Sequence, residues 1–265
     1  LPQMQFGGAL SAKGNGGGHA ERGVPPEVIE ALKVQYGLDK PIHVRYAIWI
    51  KNIATMDFGN SFKFEEPVID VIMNRMPVSL QFGVISLILT YLVCIPLGVI
   101  KAIKEGTPFD HTSSVVLFIL YSIPPVMLAI LLIVFLSGGS YLNLFPIGGL
   151  YSDNYSDLSM WQKLIDRVHH FILPLTCYMI GSFTFLTMLM KNSLLDVIKM
   201  DYVRTARAKG LTEKIVYVKH ALRNALIPIV TGMSGILSVF FAGSIVIERI
   251  FQLDGMGLLG FTAVS

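Results

Sequence analysis

The residues able to do chemistry are concentrated in one short segment. Between Lys191 and Arg223 stand eight Lys or Arg: Lys191, Lys199, Arg204, Arg207, Lys209, Lys214, Lys219 and Arg223. Such a run has three readings: a nucleic-acid contact, an anionic-lipid contact, or the positive excess that short cytoplasmic loops carry. Other candidates are sparser. No Gly-x-x-x-x-Gly-Lys-Ser/Thr run occurs, so the chain offers no cradle of its own for ATP phosphates. Gly14–Gly18 has no following Lys-Ser or Lys-Thr and reads as a mobile loop. His169 and His170 are adjacent, hence on different helix faces, and no His or carboxylate recurs at ligand spacing. Neither an enzyme site nor a metal or cofactor site is expected. Cys94 and Cys177 fall in separate apolar stretches, which argues against a disulfide scaffold.

The elements that position the basic segment follow from composition. Of 265 residues, 53% are hydrophobic and 15% charged, against about 25% charged in soluble domains. Four stretches hold no Asp, Glu, Lys or Arg: Pro77–Ile100, Ser113–Tyr141 (most apolar over Val115–Leu136), His169–Met190 and Asn224–Ile247. Each reaches the roughly 20 residues a helix needs to cross a bilayer. An all-α integral membrane protein with four transmembrane helices is expected. The basic segment lies between the third and fourth, which argues against nucleic acid.

Lys101 and Lys104 follow the first span, whereas the second loop, Ser137–Val168, holds only Lys163 and Arg167. The positive-inside rule therefore puts the first and third loops in the cytoplasm. Residues 1–76 and the tail after Glu248 then face out. Residues 1–76 carry no segment able to export them, and the chain starts at Leu1, so it is expected to continue upstream. Within 1–76, helices are expected from Pro25 to near Gly37 and from Pro41 to about Met56. The second has an apolar stripe of Ile42, Tyr46, Trp49, Ile50 and Ile53. Val68–Met76 reads as an interfacial lead-in. Pro124-Pro125 is the strongest candidate for a bend beside a translocation path.

Inside the basic segment, Leu195, Ile198, Tyr202, Val203 and Ala206 have helical spacing. Gly210 suits a left-handed terminator, and Thr212 with Glu213 can start a second helix. Ile215, Val218, Leu222 and Ala225 are its expected apolar side, with Pro228 in the first turn of the last span. Small alanines abutting a helix-ending glycine suggest close backbone approach to a partner.

Tyr202-Val-Arg-Thr-Ala-Arg-Ala-Lys-Gly210, His220-Ala-Leu-Arg-Asn-Ala225 and Ile227-Pro228 resemble the cytoplasmic "EAA" loop of ABC importer permeases in the dipeptide/oligopeptide branch. Tyr36–Pro41, Asp57-Phe-Gly59, Ile95-Pro-Leu-Gly98 and Gly255–Gly260 agree with that family. Ser152-Asp-Asn154, Trp161-Gln-Lys163 and Leu173-Pro-Leu175 resemble its Yej-type members, associated with microcin C uptake. The family's general motif has glutamate where this chain has Arg204, as the peptide branch commonly does not.

The resemblance implies a type I ABC importer transmembrane domain over 77–265, with an extracytoplasmic segment 1–76 and a coupling loop 191–224. The family has six helices, so one is expected beyond each end. Tyr202, Ala206, Arg207, Ala208, Lys209 and Gly210 inherit the ATPase-coupling role, and Pro124 and Pro125 are candidate hinge or pathway residues. Implied partners are ATPase subunits that bind ATP, a second homologous permease, an extracytoplasmic solute-binding protein and membrane lipid. The implied location is the bacterial inner membrane. A self-contained channel or secondary transporter is the alternative; those place ionisable residues in mid-membrane, and the four stretches hold none.

Overall fold

The computed structural model describes residues 40–61, 63–137, 141–233 and 243–265. Gly14–Gly18 and the helix expected from Pro25 to Gly37 lie outside them. The chain divides into two compact units, Leu1–Phe58 and Gly59–Ser265.

In the first unit, α1 (Ile42–Ala54) starts after Pro41 and stops before Met56, whose φ is +56°. Its stripe of Ile42, Tyr46, Trp49, Ile50 and Ile53 is exposed, and Tyr46 stacks on Trp49 at 5.9 Å.

In the second unit two helices dominate. α2 spans Val68–Ile103 (36 residues) and α5 spans Met160–Ile198 (39 residues). At 1.5 Å per residue they measure about 54 and 58 Å, far more than the 30 Å or so of hydrocarbon. Both overrun their charge-free stretches at both ends. α2 begins nine residues before Pro77, so the lead-in is continuous with the span. α2 passes through Pro77 and Pro96, and α5 through Pro174, as membrane helices do where neighbours satisfy the freed carbonyls.

The second stretch is broken. α3 (Pro108–Ser122) and α4 (Pro125–Leu136) meet at 96°. A residue before proline is pushed out of the α region. Ile123 precedes Pro124 and Pro124 precedes Pro125, so two successive residues are extended, with ψ of 118° and 139°. The doubled proline therefore makes a corner rather than a kink.

α2 and α5 pack along their length around two clusters. Toward the basic loop lie Cys94, Met190, Leu194, Val203, Ala206 and Ala221. At the opposite end, Phe82 stacks on Phe171 at 4.4 Å amid Leu173, Ile247 and Phe251. Gly98 makes the close approach possible: a Cβ there would stand 2.6 Å from Met190 Cβ and 2.7 Å from the Thr187 carbonyl. Lipid tails are as apolar as the side chains, so such contacts hold helices together by dispersion rather than by water exclusion.

The fourth stretch is described at its two ends. Its described parts are the end of the loop helices, α9 (Ile227–Gly232, with Pro228 in its first turn) and α10 (Ile245–Ile250); α11 (Met256–Val264) follows.

Candidate functional site

The basic segment is built as expected in outline, with two corrections. The first expected helix is two. α5 ends at Ile198, Lys199 and Met200 intervene, and α6 (Asp201–Ala208) starts anew because Met200 is extended, with ψ 149°. Leu195 and Ile198 therefore belong to the long span, and Tyr202, Val203 and Ala206 to a separate short helix. Periodicity alone carries no sign of one extended residue.

The second correction concerns the return helix. α7 (Glu213–Ile215), a π-helical turn (Val216–Ala221) and α8 (Leu222–Ala225) succeed one another. The wider turn shifts the inward face: Val216, Ala221 and Ala225 are buried, whereas Val218 within the turn and Ile215 just before it are exposed. Thr212 takes the N-cap position with extended backbone but makes no side-chain cap bond.

Gly210 closes α6 with φ +77°. Its N–H donates to the Arg207 carbonyl at 2.9 Å, and Leu211 N–H reaches back to the Ala206 carbonyl at 3.4 Å. This pair of bonds is the Schellman arrangement, which wants glycine at the left-handed position. No atom comes within 4 Å of a Cβ built on Gly210, so backbone conformation, rather than crowding, demands the residue.

The six candidate coupling residues divide by direction. Ala206 is buried beside Val203 in the chain's own core, so its smallness serves internal packing. Tyr202 accepts a hydrogen bond from Asn224 Nδ2 at 2.8 Å, tying α6 to the end of α8. Arg207 donates to both carboxylate oxygens of Glu213, at 2.9 and 3.2 Å, and lies over the Tyr217 ring. The Glu213 hydrogen bonds hold its guanidinium pKa above the ordinary value. Ala208, Lys209 and Gly210 are exposed. Leu211, Lys214, Ile215 and Val218, which follow, are exposed too, so this uncovered crest of the loop carries both cationic and apolar side chains.

Two arrangements were not anticipated from sequence. Residues just outside the charge-free stretches fold inward. Lys101 is fully buried: its Nζ lies 3.0 Å from Asp110 Oδ1 and donates to Ser113 Oγ at 2.7 Å, Ser114 Oγ at 2.8 Å and the Asp110 carbonyl at 2.8 Å. Lys191 Nζ is 2.6 Å from the other carboxylate oxygen, Oδ2. The triad joins α2, α3 and α5 at their basic-loop ends.

At the other end Glu248 is fully buried. Its Oε1 accepts from Ser79 Oγ at 2.8 Å, Ser244 N–H at 3.2 Å and Tyr178 Oη at 3.3 Å; Oε2 accepts from Leu258 N–H at 2.8 Å. Ser79 in turn accepts from Met256 N–H at 2.7 Å. A Cβ on Gly255 would stand 2.6 Å from the carboxyl carbon. The tail after Glu248 folds back on α2 and α5. Ser79 and Tyr178, which donate to the carboxylate, lie within the first and third charge-free stretches. The only sequence signal was position: Lys101, Lys191 and Glu248 each directly abut a charge-free stretch.

Pro124 and Pro125 form the corner between α3 and α4, beside Ile123, Leu128 and Ala129 of the second apolar cluster. Among the described residues no group of His, Cys, Asp and Glu is arranged to hold a metal ion.

Residues 94–265 match the family described as binding-protein-dependent transport system inner membrane component. The chain is 44% identical over 244 residues to the peptidoglycan transport system permease protein YejB of Agrobacterium fabrum, covering 92% of this chain and 67% of that protein. It is 46% identical over 243 residues to the inner membrane ABC transporter permease protein YejB of Escherichia coli O157:H7, covering 91% and 67%. The dipeptide transport system permease protein DppB of Escherichia coli K12 is 35% identical over 253 residues, covering 89% and 74%.

Proposed function

Because the chain belongs to the family of binding-protein-dependent transport system inner membrane components, we propose that it is the transmembrane permease subunit of an ATP-driven importer of peptides or peptide-like compounds. It is a membrane transport component of the inner membrane. Separate ATPase subunits bind and hydrolyse ATP, and a solute-binding protein delivers cargo from the extracytoplasmic side. A second, homologous permease subunit completes the pathway in the lipid bilayer. Residues 191–224 lie in the cytoplasm and residues 1–76 outside, with 77–265 forming the type I transmembrane domain.

The observation that carries the coupling role is the exposed crest of Ala208, Lys209 and Gly210, set on a short helix that two residues join to α5. Closure of the ATPases on ATP displaces this helix. Because packed helices move as bodies, the displacement switches the spans between outward-open and inward-open arrangements. Arg207 and Tyr202 brace the loop from within through Glu213 and Asn224. A self-contained channel or secondary transporter would need ionisable groups open to the pathway. Lys101, Asp110, Lys191 and Glu248 are instead held in mutual ion pairs or hydrogen bonds.

The test is co-expression of the full-length permease with candidate ATPase subunits of its host, followed by co-purification in mild detergent. Gly210→Pro, and a Lys209→Glu/Lys214→Glu double variant, run alongside. Retention by the unaltered chain and loss by correctly inserted variants supports docking at the crest. Failure of every ATPase to co-purify with the unaltered chain would point to the channel or transporter reading.

A further inference from the structure

α3 is held to its neighbours in an unusual way. Only two of its residues, Asp110 and Leu117, are buried in this chain. Val115, Val116, Phe118, Ile119 and Tyr121 are exposed. Beside the packing of its buried Leu117, it is tied to the rest of the unit by polar contacts: the Lys101–Asp110–Lys191 triad at its first turn, and the Leu117 carbonyl, which accepts from Thr184 Oγ1 at 2.8 Å.

The bodies on the two sides of the triad differ. On one side the ends of α2 and α5 and the loop helices share a single core: Ala102, Leu194, Val197, Val203, Ala206, Val216 and Ala225 pack together. Ser193 Oγ adds a 2.7 Å bond to the Ala225 carbonyl. A push on α6 therefore moves the ends of α2 and α5 with it. On the other side α3 runs from Asp110 to the corner at Ile123–Pro124. Lys191 stands two helical turns before the end of α5, and Lys101 belongs to the last turn of α2.

We infer that Asp110, clamped between Lys101 and Lys191, is the joint through which displacement of the loop helices is passed to α3 and so to the corner at Pro124. This rests on the transport reading above and adds to it a route from loop to broken span. Two ion pairs, one fully buried at 3.0 Å and one at 2.6 Å with Lys191 partly exposed, form a directional tether that greasy contact does not provide. A dispersion contact can slide, whereas parting a buried charge from its partner leaves it uncompensated. Asp110 is thus a positioning residue, touching neither cargo nor ATPase.

The test uses the complete transporter, permease pair with ATPases, in proteoliposomes supplied with the binding protein and a peptide mixture. Uptake and ATP hydrolysis are measured together. Lys191→Met leaves the Lys101–Asp110 pair intact and is the milder variant; Asp110→Asn removes the carboxylate at constant size; Lys191→Arg is the conservative control. Lys191→Met and Asp110→Asn are expected to assemble with the ATPases and hydrolyse ATP, while peptide taken up per ATP falls about tenfold. Lys191→Arg retains the ratio. Uptake and hydrolysis falling in proportion would reduce the triad to a structural element and overturn the inference. So would an unchanged ratio, or failure of both Lys191→Met and Asp110→Asn to assemble. If the unaltered complex shows no ATP-driven uptake, the transport reading fails first, a result distinct from any change confined to the variants.

Discussion

Replacing Gly98 with alanine tests the account of how the two long helices meet. The added Cβ would lie 2.6 Å from Met190 Cβ, 2.9 Å from Met190 Cγ and 2.7 Å from the Thr187 carbonyl oxygen. Carbon contacts rest at about 3.5–4.0 Å, so α2 and α5 must part locally by roughly 1 Å. Met190 and Leu194 are fully buried there, and the parting loosens both. Overpacking of this kind costs about 1–3 kcal/mol. Against it, removing a helical glycine contributes about 0.5–1 kcal/mol. Gly181, in α5, isolates the second effect, because a Cβ there meets nothing within 4 Å. Gly181→Ala is therefore expected to be slightly stabilising and Gly98→Ala destabilising. The gap between them should be the packing cost, about 1–3 kcal/mol. Equilibrium unfolding of the purified permease in mixed detergent micelles, followed by circular dichroism, measures both. Adding Met190→Ala to Gly98→Ala should restore little, since the Met190 Cβ and the Thr187 carbonyl remain in place. Equal effects of the two glycine substitutions, or full rescue by Met190→Ala, would refute the close-packed seam.

Glu248→Ala leaves the Ser79 hydroxyl and the Ser244 and Leu258 amides without their acceptor. At about 1–3 kcal/mol for each stranded group, it should lower the thermal midpoint more than any surface substitution. Protease accessibility of residues 244–265 should rise with it. Glu213→Gln, by contrast, loosens an ion pair whose side chains are 34% and 57% exposed, and should change stability by under about 1 kcal/mol in the same unfolding assay. Gly210→Ala must hold an alanine at φ +77°, which costs about 1–2 kcal/mol; hydrogen exchange should show faster opening at Gly210 and Leu211. Replacing Pro124 and Pro125 together with alanine removes the two steric blocks. Spin labels at Val116 and Ile130 should then move apart as the corner straightens, whereas an unchanged distance would mean that tertiary packing sets it.

The first and third spans were legible because the hydrocarbon core imposes one demand on sequence, a run of about 20 uncharged residues. Pro124-Pro125 was legible as a bend because its steric rule acts between neighbours, and Gly210 as a helix end for the same reason. The family resemblance lay in a contiguous run, Tyr202–Gly210, that any reading along the chain meets whole. The direction in which those residues point was not legible. The break at Met200 resets the helix beyond it, in which Ala206 faces inward, and the π turn at Val216–Ala221 buries Val216 and Ala221 while Val218 stays exposed. A periodicity read with a fixed 3.6-residue turn cannot register either change.

Sequence by itself determined that this protein crosses a membrane, which loop carries the positive charge, and where its chain must turn, because those properties are set by local composition and local sterics. Tertiary structure alone decided what became of the charges at the edges of the spans. Lys101 and Asp110 stand nine residues apart, Lys191 lies 81 residues beyond Asp110, and Ser79 and Glu248 are separated by 169. An ionised group next to an apolar stretch belongs in water when taken alone. Only the folded chain brings each one enough partners to offset the cost of burial, and so turns the charged margins of the spans into their internal fastenings.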